Sequence, residues 1–321
     1  MTIVSRFAPS PTGRLHLGHA LSAVRAHDLA RAQGGRFLLR IEDIDPTRSR
    51  EEFVAEIEED LRWLGLAWDG PAVRQSERLP LYAGALDRLK ALGLVYPCFC
   101  TRAEIAQSAA APHGAEGPVY PGTCRRLSQA ERAQRMADEA HCWRLNMAQA
   151  FKAPSPLQGR GLGREGVERI EGSLTTAESP CPNPLPHGGE GLWWHDALAD
   201  WIAADPASQG DVVLARKDTP TSYHLAVTVD DAAQGVTDVV RGADLFEATH
   251  IHRLLQALLG LPTPRYHHHP LLLGPDGTRL AKRTGARSLS ELRAQGADPQ
   301  ALVQRLRDGL PPLACGLLTP N

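Results

Sequence analysis

Apolar positions along the chain alternate between two periods. Ile3 to Phe7 is a short apolar run that reads as a buried strand. From Leu17 the period changes to that of a helix: Leu17, Ala20, Leu21, Val24, His27 and Ala30 share one face, and Gly34–Gly35 supplies the stop. RFLLRIED, Arg36 to Asp43, returns to a strand pattern. Strand, helix and strand within about 45 residues is the spacing of a βαβ crossover, so a right-handed parallel unit is predicted. SREEFVAEIEEDLRWLGL reads as an amphipathic helix opened by Ser49 with acidic residues in its first turn. YAGALDRLKALGL reads as another, ending at Gly93.

From Tyr96 to about Cys142 the pattern gives way to cysteines, loops and one short helix, Ser128 to Glu139. Ala153 to Gly191 is rich in Gly, Pro and Ser with no apolar period, which predicts a weakly ordered surface loop. Its ends, PSPLQGRG and PNPLPHGGEG, look like a mobile DNA inverted repeat read in frame, and a recent insertion without function is expected. Period returns with DVVLAR and TDVVRG as buried strands and Leu245 to Leu259 as a helix. HHPLLLGPDGTRLAKR reads as a hairpin with a Pro-Asp-Gly turn and a basic loop, and the last forty residues or so as helical.

Composition narrows the classes. The 321 residues, 42% hydrophobic and 22% charged, suit a soluble globular protein with ample core. No apolar run approaches the ~20 residues that span a bilayer. The N-terminus MTIVSRFAPS lacks the basic-then-apolar form of a secretory signal, so the cytoplasm is expected. A net charge of −2 gives no global nucleic-acid footprint. Local basic clusters, Arg125-Arg126 and Arg279 to Arg287, are candidate phosphate contacts.

VSRFAPSPTGRLHLGHALSAVRAH, Val4 to His27, carries the first candidate chemistry. A strand ending in a loop constrained by Pro9 and Pro11, then a helix start, presents free N–H groups and the positive dipole end to an anion. His16 and His19, three apart, share one face and can donate to phosphate oxygens. Gly18 removes a side chain where an adenine or ribose approaches the backbone.

RFAPSPTGRLHLGH as a whole resembles the first signature of the glutamyl-tRNA synthetases, class I enzymes whose HIGH motif is His16-Leu17-Gly18-His19 here. The resemblance continues through RIEDIDPTRSR, DVVLARKDTPTSYHLAVTVDD and VVRGADL, and covers nearly all of the chain outside the loop. Their KMSKS motif is altered here to Arg279-Leu280-Ala281-Lys282-Arg283, which keeps the cation of Lys282 and loses a serine hydroxyl. The resemblance implies an α/β, Rossmann-type parallel sheet on which glutamate attacks the α-phosphate of ATP to give glutamyl-adenylate, with Mg²⁺ accompanying ATP. The chemistry of the residues agrees with that role. Glutamate brings two carboxylates and one ammonium, so Arg6 and Arg241 suit the carboxylates by forked hydrogen bonds and Glu42 suits the ammonium. Phe7, Ala8, Pro9 and Ser10 form the adjoining loop, with a hydroxyl at Ser10, and Tyr223 adds a hydroxyl and a flat wall. His16, Gly18 and His19 are the expected ATP contacts, with His16, His19 and Lys282 stabilising charge on the transferring phosphates.

Cys98, Cys100 and Cys124 offer three thiolates, and a closed zinc site wants four ligands. Tyr120, His113, His141 and Cys142 are all candidates for the fourth, a histidine or cysteine being the usual chemistry. Cys-x-Cys followed by Tyr-x-Gly-x-Cys-Arg resembles the glutamyl-queuosine branch of the family, which implies Tyr120 as the ligand of one structural Zn²⁺. Cys181 and Cys315 lie elsewhere and are not expected to contribute. His267-His268-His269 alternate faces in a strand and cannot all hold one ion; they read as structural residues near the nucleotide site.

Only 38 residues follow Arg283, which leaves no room for the large anticodon-binding region of a full glutamyl-tRNA synthetase. The resemblance is therefore to the truncated branch, which passes glutamate to the queuosine base at the wobble position of tRNA(Asp). A minimal synthetase charging tRNA(Glu), another nucleotidyltransferase of the HIGH superfamily, and an inactive zinc-stabilised RNA-binding protein remain as alternatives. The expected organisation is a catalytic domain in two halves, 1–95 and 193–262. A zinc-binding insertion spans 96–150, the low-complexity loop 151–192, and the KMSKS-like loop with a short C-terminal helical region 263–321. A monomer without membrane contact is expected from the resemblance.

Overall fold

The computed structural model describes residues 2–107, 113–114, 117–153, 192–272 and 287–309. The first apolar run forms strand β1 (Val4–Phe7), and the helical period after it forms α1 (Leu17–Arg31). Ala20, Leu21, Ala23, Val24, Ala26 and Ala30 of α1 are buried, and the half-buried His27 sets its ring edge-on to Phe37. Gly34 turns the chain with φ of +62°. A Cβ on Gly35 would lie 2.3 Å from the Ile3 carbonyl oxygen, so only glycine admits β2 (Arg36–Ile41) beside β1.

Helix α2 (Glu51–Trp63) starts later than the sequence predicts. Arg50 rather than Ser49 holds the N-cap position, without a side-chain cap. The Arg50 N–H donates to the Pro11 carbonyl at 3.0 Å, so a contact with the proline loop sets the helix start. The short strand β3 (Val73–Arg74) and helix α3 (Leu79–Ala91) follow. Then come β4 (Val95–Cys98), α4 (Arg102–Gln107), β5 (His113–Gly114), β6 (Gly117–Pro118), α5 (Gln129–Asp138), β7 (Cys142–Leu145) and α6 (Met147–Ala150). After residue 191 the chain forms β8 (Trp193–Asp196), β9 (Asp200–Ala203), β10 (Val213–Ala215), α7 (Tyr223–Ala233) and β11 (Asp238–Gly242). Helix α8 (Ala248–Leu259), β12 (Arg265–His269), α9 (Leu289–Ala294) and α10 (Pro299–Arg307) complete the described elements.

Seven strands form one sheet in the order β3-β2-β1-β11-β12-β8-β9, parallel throughout except for the β8–β9 pair. Helices cover both faces. The core on one side joins α1, α2, α9 and α10 to the sheet, and a second core joins α3, α7 and α8. This is the doubly wound arrangement, with β1 at the point where strand order reverses and a crevice at the carboxyl ends of its neighbours.

Several elements depart from the sequence reading. DVVLAR contributes only Val213–Ala215, and these pair with β7 in a separate antiparallel sheet, β10-β7-β4. The α8 helix begins at Ala248, after a single tight turn at Ala243–Leu245. His267, His268 and His269 belong to β12, a parallel strand between β11 and β8, instead of opening a hairpin. Residues 273–283 of that predicted hairpin, which include the KMSKS-like segment with Lys282, and residues 154–191 of the predicted loop lie outside the described residues. No described helix is long and apolar enough to cross a membrane.

Candidate active site and metal centre

The carboxyl ends of β2, β1 and β11 lie side by side, and a cavity of about 630 Å³ opens there. Arg6 near the end of β1, Glu42 just past β2 and Arg241 in β11 all line it. So do Phe7, Ala8, Pro9, Ser10, His16, Gly18, His19 and Tyr223, the first residue of α7. Every predicted glutamate or ATP residue among the described ones thus meets at one cavity; Lys282 lies outside the described residues.

The two prolines of the opening loop are anchored through their carbonyls. Pro9 accepts from the Glu42 N–H at 2.9 Å and Pro11 from the Arg50 N–H at 3.0 Å. The loop therefore fixes Glu42 as well as itself. The histidines cap their own helix. His16 Nδ1 accepts from the Gly18 N–H at 3.1 Å, and His19 Nδ1 accepts from the His16 N–H at 3.1 Å. The rings stack with centroids 3.9 Å apart. With both Nδ1 atoms accepting, a neutral ring carries its proton on Nε2, so each imidazole is a donor on its far side. Gly18 has a reason the sequence did not show: a Cβ there would lie 3.0 Å from His16 Cε1, so glycine lets the ring fold back without shifting.

Behind Arg6 lies a buried lattice of alternating charge. Arg6 Nε donates to Asp231 Oδ1 at 3.0 Å, and Arg40 Nη1 donates to the same oxygen at 2.8 Å. Arg40, which is fully buried, also donates to Glu42 Oε1 at 3.3 Å. Asp230 accepts from Gln75, Arg78 and the Tyr82 hydroxyl at 2.7 to 2.8 Å. Burial pushes the Asp231 carboxyl up, but Arg6 and Arg40 outweigh it and hold the group below the usual range. At Glu42 the balance is reversed: burial outweighs the attraction of Arg40 and Arg6 and raises the carboxyl. A further cation seated beside Glu42 would favour its charged form. Burial likewise raises the Tyr223 hydroxyl, which accepts from Arg241 Nη1 at 3.3 Å.

A second cluster lies where β4 meets the 3₁₀ turn Thr123–Arg126. The Cys98, Cys100 and Cys124 sulfurs all fall within 4.8 Å of one another. Cys100 Sγ is 3.6 Å from both Cys124 Sγ and the Tyr120 hydroxyl. Ligands about 2.3 Å from a tetrahedral zinc stand roughly 3.8 Å apart, so these spacings fit the ion. The Tyr120 hydroxyl touches all three thiols and accepts from the Cys124 N–H at 2.7 Å, an arrangement that favours oxygen as a ligand atom. Cys142, opposite Cys98 across the β4–β7 pair, hydrogen-bonds Cys98 and lies outside the three-sulfur group. His141 instead packs against Phe99 and Trp143, and the His113 side chain lies outside the described residues. Hydrogen bonds from Cys142, Tyr120 and Arg144 lower the Cys98 thiol to about 4 against its burial, while burial pushes Cys100 up to about 11. A metal must displace the proton from Cys100.

Of the basic candidates, Arg125 is committed to Asp211 at 2.9 Å. Residues 279–286 lie outside the described residues. Sequence reading missed Arg40, Asp230 and Asp231, and the triple histidine was read only in outline: His269 lines the cavity and bonds Ser22 of α1 at 2.9 Å.

A doubly wound parallel sheet whose central strand feeds a histidine-capped helix, with arginines and a glutamate at adjacent strand ends, defines a class I tRNA synthetase catalytic domain, and the protein is a ligase. The description "tRNA synthetases class I (E and Q), catalytic domain" matches residues 2–158 and 185–312. A glutamyl-Q tRNA(Asp) synthetase of Rhodobacter capsulatus is 49% identical over 309 residues, covering 95% of this chain and 99% of its own. The chain belongs to the glutamyl-Q tRNA(Asp) synthetase family. A glutamate–tRNA ligase of Ruegeria pomeroyi is 39% identical over 93% of this chain and 59% of its own. In fold, the chain is similar to a crystal structure of a glutamate tRNA ligase from Elizabethkingia meningosepticum in complex with its amino acid. There the TM-score is 0.71 at 24% identity, over 95% of this chain and 60% of that one.

Proposed function

We propose that this protein activates L-glutamate with ATP, without tRNA, and transfers the glutamate to the queuosine base at the wobble position of tRNA(Asp). One observation carries the reading: two arginines and one glutamate, the charge complement of free glutamate, sit on three adjacent strand ends beside the histidine-capped helix. Arg6 and Arg241 take the carboxylates, Glu42 the ammonium, and Tyr223 and Ser10 the remaining polar edge. His16 and His19 donate from Nε2 to the phosphates of ATP, whose Mg²⁺ neutralises them further, and Lys282 meets the departing pyrophosphate. In the first step a glutamate α-carboxylate oxygen bonds the α-phosphorus as the bond to pyrophosphate breaks. In the second a queuosine hydroxyl bonds the carbonyl carbon, AMP leaves with the bonding pair, and the hydroxyl proton goes to solvent. The acceptor is supported by the name of a relative half-identical over almost its whole length.

Zn²⁺ held by Cys98, Cys100, Tyr120 and Cys124 staples the 96–150 insertion internally, joining the end of β4 to the Thr123–Arg126 turn. It is structural and takes no part in transfer. The enzyme works in the cytoplasm, where tRNA resides. ATP–pyrophosphate exchange tests activation: exchange that requires glutamate and proceeds without RNA is expected. Exchange that appears only when tRNA is added overturns the tRNA-independent step.

A further inference from the structure

Besides its bond to Tyr223, Arg241 is held by residues of two other elements, β12 and α8. Its Nε donates to His268 Nε2 at 3.1 Å, Nη1 approaches His252 Nδ1 at 3.3 Å, and Nη2 donates to the Thr249 hydroxyl at 2.6 Å. A guanidinium has only donors, so every ring nitrogen facing it must present a lone pair. For His268 that places the single ring proton on Nδ1, and Nδ1 lies 2.7 Å from Asp196 Oδ2. Asp196 is itself fixed, accepting from the backbone N–H groups of His268 at 3.1 Å, Leu198 at 2.9 Å and Ala199 at 3.2 Å. The His268 ring is wedged among Trp194, Phe246 and Tyr266, with centroids 5.1 to 5.9 Å away. Asp196, His268 and Arg241 are each 5% exposed or less.

We propose that Asp196 and His268 are positioning residues: Asp196 fixes the His268 tautomer, and His268 in turn aims the Arg241 fork at the substrate carboxylate. The inference rests on the glutamate reading of the cavity. With Nε and one Nη2 hydrogen committed, the guanidinium plane cannot rotate, and the substrate carboxylate meets a preset donor geometry. Burial and the neighbouring Arg241 charge push the His268 ring down to about 4, so it remains a neutral acceptor at physiological pH. His252 repeats the logic more weakly, with His224 Nδ1 3.3 Å from its Nε2.

The test compares wild type with His268→Phe, His268→Gln and Asp196→Asn in glutamate-dependent ATP–pyrophosphate exchange. ¹⁵N-histidine spectra of wild type and Asp196→Asn accompany it. Phenylalanine keeps the ring shape without the acceptor, so KM for glutamate rises about ten- to hundredfold, the range of one hydrogen bond to a charged group, while KM for ATP holds. Glutamine presents an amide oxygen to Arg241 and recovers most of that loss. Asparagine at 196 favours the Nε2–H tautomer, which opposes the Arg241 N–H and raises KM as phenylalanine does. An unchanged glutamate KM in a folded His268→Phe protein, or equal rises for both substrates, overturns the proposal. If His268→Phe does not fold, the contrast between His268→Gln and Asp196→Asn decides by the same criteria. The spectra separate this proposal from the glutamate reading. Absence of glutamate-dependent exchange in wild type sinks that reading, whereas an Nε2–H or charged His268 at neutral pH sinks the positioning role.

Discussion

Replacing Asp231 with Asn removes the anion that Arg6 and Arg40 share. The Asp231 oxygen lies 3.0 Å from Arg6 Nε and 2.8 Å from Arg40 Nη1, and the three side chains are 9%, 5% and 0% exposed. Arg40 keeps Glu42 at 3.3 Å and Asp230 at 3.8 Å, but Arg6 has no other carboxylate partner among the described residues. Removing one member of a buried ion pair costs about 3–5 kcal/mol, because the remaining charge stays desolvated. The asparagine amide still accepts one hydrogen bond, so the lower end, about 3 kcal/mol, is expected. At roughly 2 °C of Tm per kcal/mol for a chain this large, the melting temperature falls by about 6 °C. Urea unfolding at constant m measures the same quantity as a shift in midpoint. The sign of its pH dependence is fixed. A carboxyl held below its ordinary value stabilises above the unfolded pKa near 4, and the gain is lost as pH falls through the folded value. The gap between wild type and Asp231→Asn therefore narrows below about pH 4. A midpoint shift worth under about 1 kcal/mol at neutral pH refutes the reasoning, since the charge would then be solvated or paired elsewhere.

Four further outcomes are expected. Burial holds His224 and His268 at about 4 in the fold, and His252 well below its ordinary value. The unfolded chain binds their protons near pH 6.5, so stability declines as pH drops from about 6.5 toward 4, read as a falling urea midpoint. Tyr120→Phe, which removes the oxygen from the cysteine site, weakens zinc retention against a chelator by at least about tenfold without changing wild-type glutamate KM. Zinc binding to the metal-free protein releases protons in a pH indicator assay because Cys100 must ionise. Deleting residues 159–184, which separate the two stretches matching the synthetase domain, leaves exchange activity within about twofold, since the family description runs up to both sides of the segment without it; loss of exchange in a folded deletion protein would give the segment a role.

Much of the opening strand, loop and helix was legible because it is local. The strand, proline loop and helix over Val4–Arg31 obey short-range periodicity and turn chemistry, and the structure places them as the sequence indicates. The boundary errors came from tertiary contacts. Ser49 looks like an ideal cap, yet the bond from Arg50 to Pro11 starts the helix one residue later. DVVLAR has the composition of a central strand, and only its pairing with β7 puts it in the small sheet. The β8–β9 hairpin escaped notice because Trp193 and Trp201 are partly exposed, which blurs the alternation. Cavity-lining residues were readable from charge logic, but the residues that hold them were not. Asp231 is 225 positions from Arg6 and Asp196 is 72 from His268, and nothing in either segment announces the partner. Gly18 shows a subtler limit, since what packs against it is the ring of His16, two residues earlier.

The acceptor of the activated glutamate is tested directly by labelling. Radiolabelled glutamate and ATP are offered with three RNAs: tRNA(Asp) carrying queuosine, tRNA(Asp) carrying guanosine at the same position, and tRNA(Glu). Label on the queuosine-containing tRNA(Asp) alone is the predicted result. Label on tRNA(Glu) would make the protein a minimal tRNA-charging synthetase and rule out queuosine as the acceptor.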